Sequence, residues 1–277
     1  MSKYQSSSWL SKINTSADFV RSNYDPNVDK KPLFPLIAHP IHPELRQLLN
    51  NIGIKRSLDA GEFIFKYGEL IHCIAMVTKG ITARQVGQSP DNIMAISIPG
   101  RLACGNLNFF TEYPCVGSYH ALAPSEVCIV DSKLLKTILA KEPELLWHFV
   151  ENTELITLSD RLGFAVQSML PLEERIKSFY LAWAVNYAVY EPSTEENEEG
   201  WLTMPPTLQR KHLCNLAKSS KFSLDATLKD WKASGQLCME DGMIKIRPSL
   251  LKSCYDWMAK LEEGSPYKRP EELLDLF

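Results

Sequence analysis

The 277-residue chain predicts an α+β protein with three parts: a domain of short β-strands, one long helix, and a smaller, mostly helical domain that closes on a strand hairpin. Three observations predict it. Between Ser57 and Asp131, short apolar runs are cut by turn signals at Gly68, Gly80, Gln88-Ser89-Pro90-Asp91, Pro99-Gly100 and Ala123-Pro124-Ser125, the pattern of a small barrel or jelly roll. From Glu144 to Leu170 there is no proline and Gly163 is the sole glycine, so a long helix is expected. From Thr207 to Trp231 apolar residues recur at helical spacing in two blocks, and Asp241-Gly242 then marks a tight hairpin.

Composition narrows the class. A hydrophobic share of 45% with 23% charged residues suits two compact domains, each with its own core, and argues against fibre or disorder. The net charge of -3 supplies no global attraction to nucleic acid, yet Pro205 to Arg247 carries eight Lys/Arg against four Asp/Glu. A cationic surface is therefore local to that segment. The seven cysteines are scattered with no C-x-x-C pair, and the chain has no signal-like start and no apolar run of about eighteen residues. They read as reduced thiols of a cytoplasmic, non-membrane protein. No P-loop, G-x-S-x-G or H-E-x-x-H signature is present, so neither catalysis nor a cofactor is expected. His39 and His42 flank a Pro-Ile pair, but a metal site needs three or four ligands and no nearby residue completes one.

In chain order, residues 1–43 read as an N-terminal extension, rich in Ser, Asn and Asp and then in proline, with a short helix over Trp9 to Tyr24. A helix from Glu44 to Ile54 opens the β-domain of residues 44–142, which closes on a helix from Leu134 to Lys141. The long helix occupies 143–170. On it Leu155, Leu158, Leu162, Ala165 and Met169 recur at alternating spacings of three and four, an a/d seam that packs either on the chain's own domain or on a second copy of the chain. Pro171 breaks that helix and starts the next, which places a hinge there. Residues 171–263 form the C-terminal domain: an apolar helix over Glu173 to Tyr190, an acidic loop over Glu191 to Gly200, and the two-block segment. Residues 264–277 are a tail.

The run Leu58-Asp59-Ala60-Gly61-Glu62-Phe63-Ile64-Phe65-Lys66-Tyr67-Gly68-Glu69, with Gly80 closing the next strand, resembles the opening of the cyclic-nucleotide-binding-like β-roll of CRP/FNR transcription regulators. The resemblance implies a β-roll sensor, a dimerisation helix and a winged helix-turn-helix. Leu213, Leu216 and Ala217 would face the core from the first helix of that motif, and Leu224, Leu228 and Trp231 from the second. Ser220 would cap the second helix, and Cys238 to Ile246 would form the wing. Candidate DNA contacts are then Arg210, Lys211, Ser219, Ser220, Lys221, Phe222, Ser223, Thr227, Lys229 and Lys245. Family members that read a GTGA-type half-site use arginine, glutamate and arginine where this chain has Lys221, Phe222 and Ala226, so a different half-site is expected.

The family's nucleotide pocket is altered. Gly105-Asn106-Leu107 stands where the family has Gly-Glu-Leu, and the region of Cys115, Val116, Gly117 and Ser118 lacks the phosphate-binding arginine. Cyclic nucleotide control is therefore not expected, with Arg84 and Arg101 as the substitute cations to examine. Another ligand, a thiol sensor at Cys104 or Cys115, haem ligation by His72 or His120, or no effector at all remain open. The resemblance implies double-stranded DNA, a second copy of the chain and RNA polymerase as partners. An interaction protein that kept the fold and lost DNA binding is the alternative.

Overall fold

The computed structural model describes residues 33–89, 92–193 and 198–262. The expected helix over Trp9 to Tyr24, the centre of the acidic loop, the Pro90-Asp91 turn tip and the 264–277 tail lie outside the described residues.

A ten-residue helix, α1 (Pro43–Ile52), leads into eight short strands: β1 (Ile54–Leu58), β2 (Phe63–Phe65), β3 (Cys73–Lys79), β4 (Thr82–Val86), β5 (Ile93–Ser97), β6 (Leu102–Cys104), β7 (Gly117–Ala121) and β8 (Ser125–Asp131). They form two four-stranded antiparallel sheets, ordered β1-β8-β3-β6 and β2-β7-β4-β5. Period-two alternation decides what goes where. Along β3, Cys73, Ala75 and Val77 pack with Ile64, Phe65, Tyr119 and Val127 inside the roll. Ile74 and Met76, on the opposite face, pack under α1, α2 (Ser132–Leu139) and the long helix α3 (Pro143–Met169), against Leu45, Leu135, Phe149 and Ile156.

The end of the expected extension is part of this body. Leu36, Ile37, Ala38 and Ile41 are all at most 3% exposed, and the segment bridges β5 and the loop before β6 through Ile37 and Pro40. Ser159 of α3 donates from Oγ to the Ile37 carbonyl at 3.1 Å. Gly163 lets α3 approach so closely that a Cβ there would stand 3.2 Å from the Leu36 nitrogen. The boundary expected at residue 43 is thus corrected: residues 33–42 form a strap between the helix and the roll, and their Ile, Leu and Ala content is core content.

Leu170 is extended, and Pro171 opens α4 (Leu172–Tyr187), so the chain breaks where the proline predicted. Then come β9 (Val189–Glu191), β10 (Trp201–Met204), α5 (Arg210–Ala217), α6 (Lys221–Ala233), β11 (Leu237–Glu240), β12 (Met243–Ile246) and α7 (Pro248–Glu262). β9 and β10 extend the wing hairpin into a four-stranded sheet, β11-β12-β10-β9. Leu213, Leu216, Ala217, Leu224 and Trp231 are buried as their spacing required, and Leu228 is partly so.

One apolar cluster runs from Ile93 and Ile96 of β5 through Leu162 and Val166 of α3 into the C-terminal core of Ile176, Phe179, Leu216 and Leu224. Polar contacts reinforce it. Gln167 donates from Nε2 to the carbonyls of Ile93 (3.1 Å), Met94 (3.4 Å) and Leu216 (2.8 Å), and Lys218 Nζ lies 2.6 Å from Asn92 Oδ1. The helix-turn-helix is therefore docked on the β4-β5 side of the roll.

Candidate nucleic-acid interface and sensor interior

Helix α6 begins where Ser220 stops the chain from continuing α5. Lys218 takes a left-handed conformation (φ 51°) that ends α5, and Ser220 Oγ accepts the Ser223 N–H at 3.0 Å. With Leu224 and Trp231 turned inward, the outward ridge carries Phe222, Ala226 and Lys229, flanked by Lys221 and Lys232. Phe222 is 84% exposed. An exposed phenylalanine at the start of a second helix, between lysines, can lie against the apolar edge of a base while the lysines hold phosphates.

The structure separates the candidate contacts. Lys211, Ser220, Lys221, Phe222 and Lys229 are exposed. Ser219 and Ser223 are half-buried, and the Ser223 hydroxyl sits 2.9 Å from that of Ser220. Three others are engaged within the chain. Thr227 turns back along the helix, donating from Oγ1 to the Ser223 carbonyl at 3.1 Å. Arg210 is paired with Asp225 of α6. Lys245 is clamped between Glu240 (2.7 Å) and Glu191 (3.1 Å), and these partners raise its ammonium pKa. Arg247 is also used internally, stacking 3.9 Å over the Trp201 ring. The cationic surface therefore rests on Lys211, Lys221, Lys229 and Lys232, which the net count of the segment did not distinguish.

On α3 the buried face is Phe149, Asn152, Ile156, Ser159, Asp160, Gly163 and Val166, all against the chain's own roll and strap. The expected seam lies on the flank of that face. Leu162, 8% exposed, is used by the intramolecular core; Leu155 and Ala165 are half-buried; Leu158 (39%) and Met169 (79%) are exposed. Trp147, at 55%, continues the exposed side towards the start of the helix. Leu162 is the correction: one helix serves two packing partners, and it belongs to the inner one.

Inside the roll, Arg84 of β4 stands opposite Tyr119 of β7 in the register. Its side chain is 2% exposed, and its guanidinium pairs with Asp160 of α3: Nη1 donates to Oδ1 at 3.2 Å, and Nη2 lies 2.9 Å from Oδ2. Burial pushes the Asp160 carboxyl up, and Arg84 offsets that only in part. Among the described residues Arg84 Nε and Nη2 have no hydrogen-bond partner, nor has the buried Nδ2 of Asn106. Gly105, at φ 100°, lets the chain turn where a Cβ would collide with the Cys73 carbonyl. Ser118 Oγ accepts the Tyr67 N–H at 3.0 Å. Leu107 (40%) and Val116 (69%) face outward, so the five residues expected to line one pocket do not all converge. Arg101, the other substitute cation, holds the strap: it donates to the carbonyls of Ala38 (2.9 Å) and Pro99 (2.9 Å) and to Asn186.

The thiols of Cys73, Cys104 and Cys115 are buried. Burial pushes Cys104 far up, raises Cys115, and takes Cys73 to about 11, so none has thiolate character near neutrality. His120 is packed against Phe63 and, by burial and the nearby His212, is lowered to about 4; His72 meets Phe65 edge-on.

No protein-family model and no curated protein sequence matches the chain. Solved structures do. FixK2 from Bradyrhizobium japonicum aligns at a TM-score of 0.60 with 13% identity, covering 78% of this chain and 100% of that one. A CRP/FNR-family transcriptional regulator from Thermus thermophilus, TTHA1359, aligns at 0.52 with 15% identity, covering 75% and 98%. CLP of Xanthomonas campestris, described as a c-di-GMP-responsive global regulator, aligns at 0.53 with 15% identity, covering 74% and 99%. Among the described residues no helix is long and apolar enough to cross a membrane. Over most of its length, this chain has the fold of the CRP/FNR transcription regulators.

Proposed function

We propose that the chain is a homodimeric DNA-binding transcriptional regulator whose activity does not depend on a cyclic nucleotide. The observation that carries the reading is α6: a capped helix in a winged helix-turn-helix that presents Lys221, Phe222 and Lys229 outward, on a segment whose cationic surface is four exposed lysines. Dimerisation would use the exposed side of α3, where Trp147, Leu158 and Met169 project and Leu155 and Ala165 lie alongside. Such a dimer sets two recognition helices about one DNA turn apart. Independence from cyclic nucleotides is supported inside the roll. Arg84 is engaged by Asp160, and Asn106 replaces the carboxylate that would hold a ribose; freeing Arg84 for a phosphate would strand Asp160. Partnership with RNA polymerase follows from this reading of the fold alone.

Selection from random duplexes with the full chain tests the proposal. Enrichment of an inverted repeat of about twenty base pairs, its half-sites one helical turn apart, is expected. A selection that enriches no sequence would favour an interaction protein that keeps the fold without reading DNA.

A further inference from the structure

We propose that His42, Glu44 and His148 form a binding site for a divalent transition-metal ion of the zinc class, joining the start of the first helix to the start of the long helix. The sequence offered only the His39/His42 pair; the fold adds His148 from α3. One ligand atom from each of His42, Glu44 and His148 lies within 4.8 Å of the other two. The imidazoles of His42 and His148 are stacked with centroids 3.5 Å apart and planes inclined by 12°, and His148 Nε2 is 3.7 Å from Glu44 Oε2. Two imidazoles and one carboxylate are a zinc donor set, bound at about 2.0–2.2 Å with a fourth position left for water.

Bond lengths of that size place donor atoms about 3.3 Å apart around a tetrahedral ion, so the three groups need to close by about 1.5 Å at most. Parallel rings aim their lone pairs side by side. A turn of the His148 ring, whose side chain is about a quarter exposed, converts the stack into a convergent pair. Asn152, one helical turn beyond His148, is 3% exposed and donates to the Pro40 carbonyl at 3.0 Å, while its Oδ1 is buried with no hydrogen-bond partner among the described residues. That acceptor, between the strap and α3, suits an imidazole N–H or a metal-bound water. Binding exchanges protons on the imidazoles for the ion, with no redox step and no bond made or broken in the chain.

Cobalt(II) is the probe, because thiolate and imidazole ligation differ in its spectrum. The reduced full-length chain, titrated with Co²⁺ at neutral pH, is expected to take up one ion with visible d–d bands and no sulfur-to-cobalt charge-transfer band. His148→Gln and, separately, Glu44→Gln should each weaken uptake by about tenfold or more, with unchanged far-UV circular dichroism. Glu44 is mostly exposed, so its variant keeps the test available should the histidine variant fail to fold. Absence of uptake, uptake undiminished in both variants, or a charge-transfer band reporting one of the seven cysteines would each overturn the proposal.

Discussion

Asp160→Ala is expected to destabilise the protein about as much as truncating a core aromatic on the same face of α3, such as Phe149. Arg84 is 2% exposed, and its guanidinium would remain in the roll without its carboxylate. Arginine does not shed its proton inside a protein, so the charge has no way to neutralise. Stranding a buried charge in this way costs about 3–5 kcal/mol, a large fraction of the ~5–15 kcal/mol that holds a domain together. The reverse change, Arg84→Met, leaves Asp160, whose carboxyl burial has already pushed upward. That group escapes by taking a proton. Arg84→Met should therefore cost less than Asp160→Ala, and its cost should shrink as pH falls, because the protonated acid is the form the stranded site prefers. The double variant Arg84→Met with Asp160→Leu replaces the pair by apolar volume and should recover most of the loss. Urea denaturation followed by intrinsic fluorescence measures this, with the parent, Arg84→Met, Asp160→Leu and the double variant compared as a cycle and Asp160→Ala alongside. A loss below about 1 kcal/mol for Asp160→Ala, or strict additivity of the two changes, would refute a pair that depends on mutual compensation.

The exposed side of α3 and the buried histidine of β7 give two more expected outcomes. Replacing Leu158 and Met169 together by glutamate puts like charges from both subunits into the proposed interface without touching the inner core, and should yield a folded monomer by multi-angle light scattering; a persistent dimer would place the interface elsewhere. His120, held at about 4 by burial and by the neighbouring His212, stays neutral in the fold while the unfolded chain takes up its proton below about 6.5. Its contribution is thus complete above about pH 6.5 and is lost as pH falls towards 4, by at most about 3 kcal/mol. His120→Gln should flatten stability against pH in that window, and an unchanged slope would assign the acid sensitivity to other groups.

Much of this was legible in the sequence because its causes are local. Gly80, Pro171, Ser220 and Asp241-Gly242 each dictate a backbone conformation by themselves, and each sits where the chain turns, breaks, caps or folds back. Burial of Leu213, Leu216, Leu224 and Trp231 follows from helical spacing for the same reason. What was missed depends on residues far apart. The Arg84–Asp160 pair and the His42–His148 stack each join the first part of the chain to α3, and neither residue of a pair marks its partner. β9 and β10 were hidden because three- and four-residue strands carry almost no periodicity, and the wing sheet forms only when Leu202 meets Ile246. Leu162 was assigned to the wrong face of α3 for a different reason. A helix packed on its own roll and still apolar outside has two hydrophobic faces, and spacing alone cannot tell which neighbour takes Leu162. Net charge likewise counts Arg210 and Lys245 as available, whereas Asp225, Glu240 and Glu191 consume them.

Whether α6 reads DNA is measured by fluorescence anisotropy on a selected duplex and a scrambled duplex of equal length. Across roughly 50–200 mM salt (a range suited to the counterion effect, about 0.9 released per phosphate contact), the parent protein should bind the selected duplex at least about 10³-fold more tightly than the scrambled one. Lys221→Ala should lower the salt slope by about 1 if Lys221 holds a phosphate, or lose about 1–3 kcal/mol of discrimination if it reads a base. Equal affinity for the two duplexes, with Lys221→Ala binding as the parent does, would mean that α6 does not read DNA.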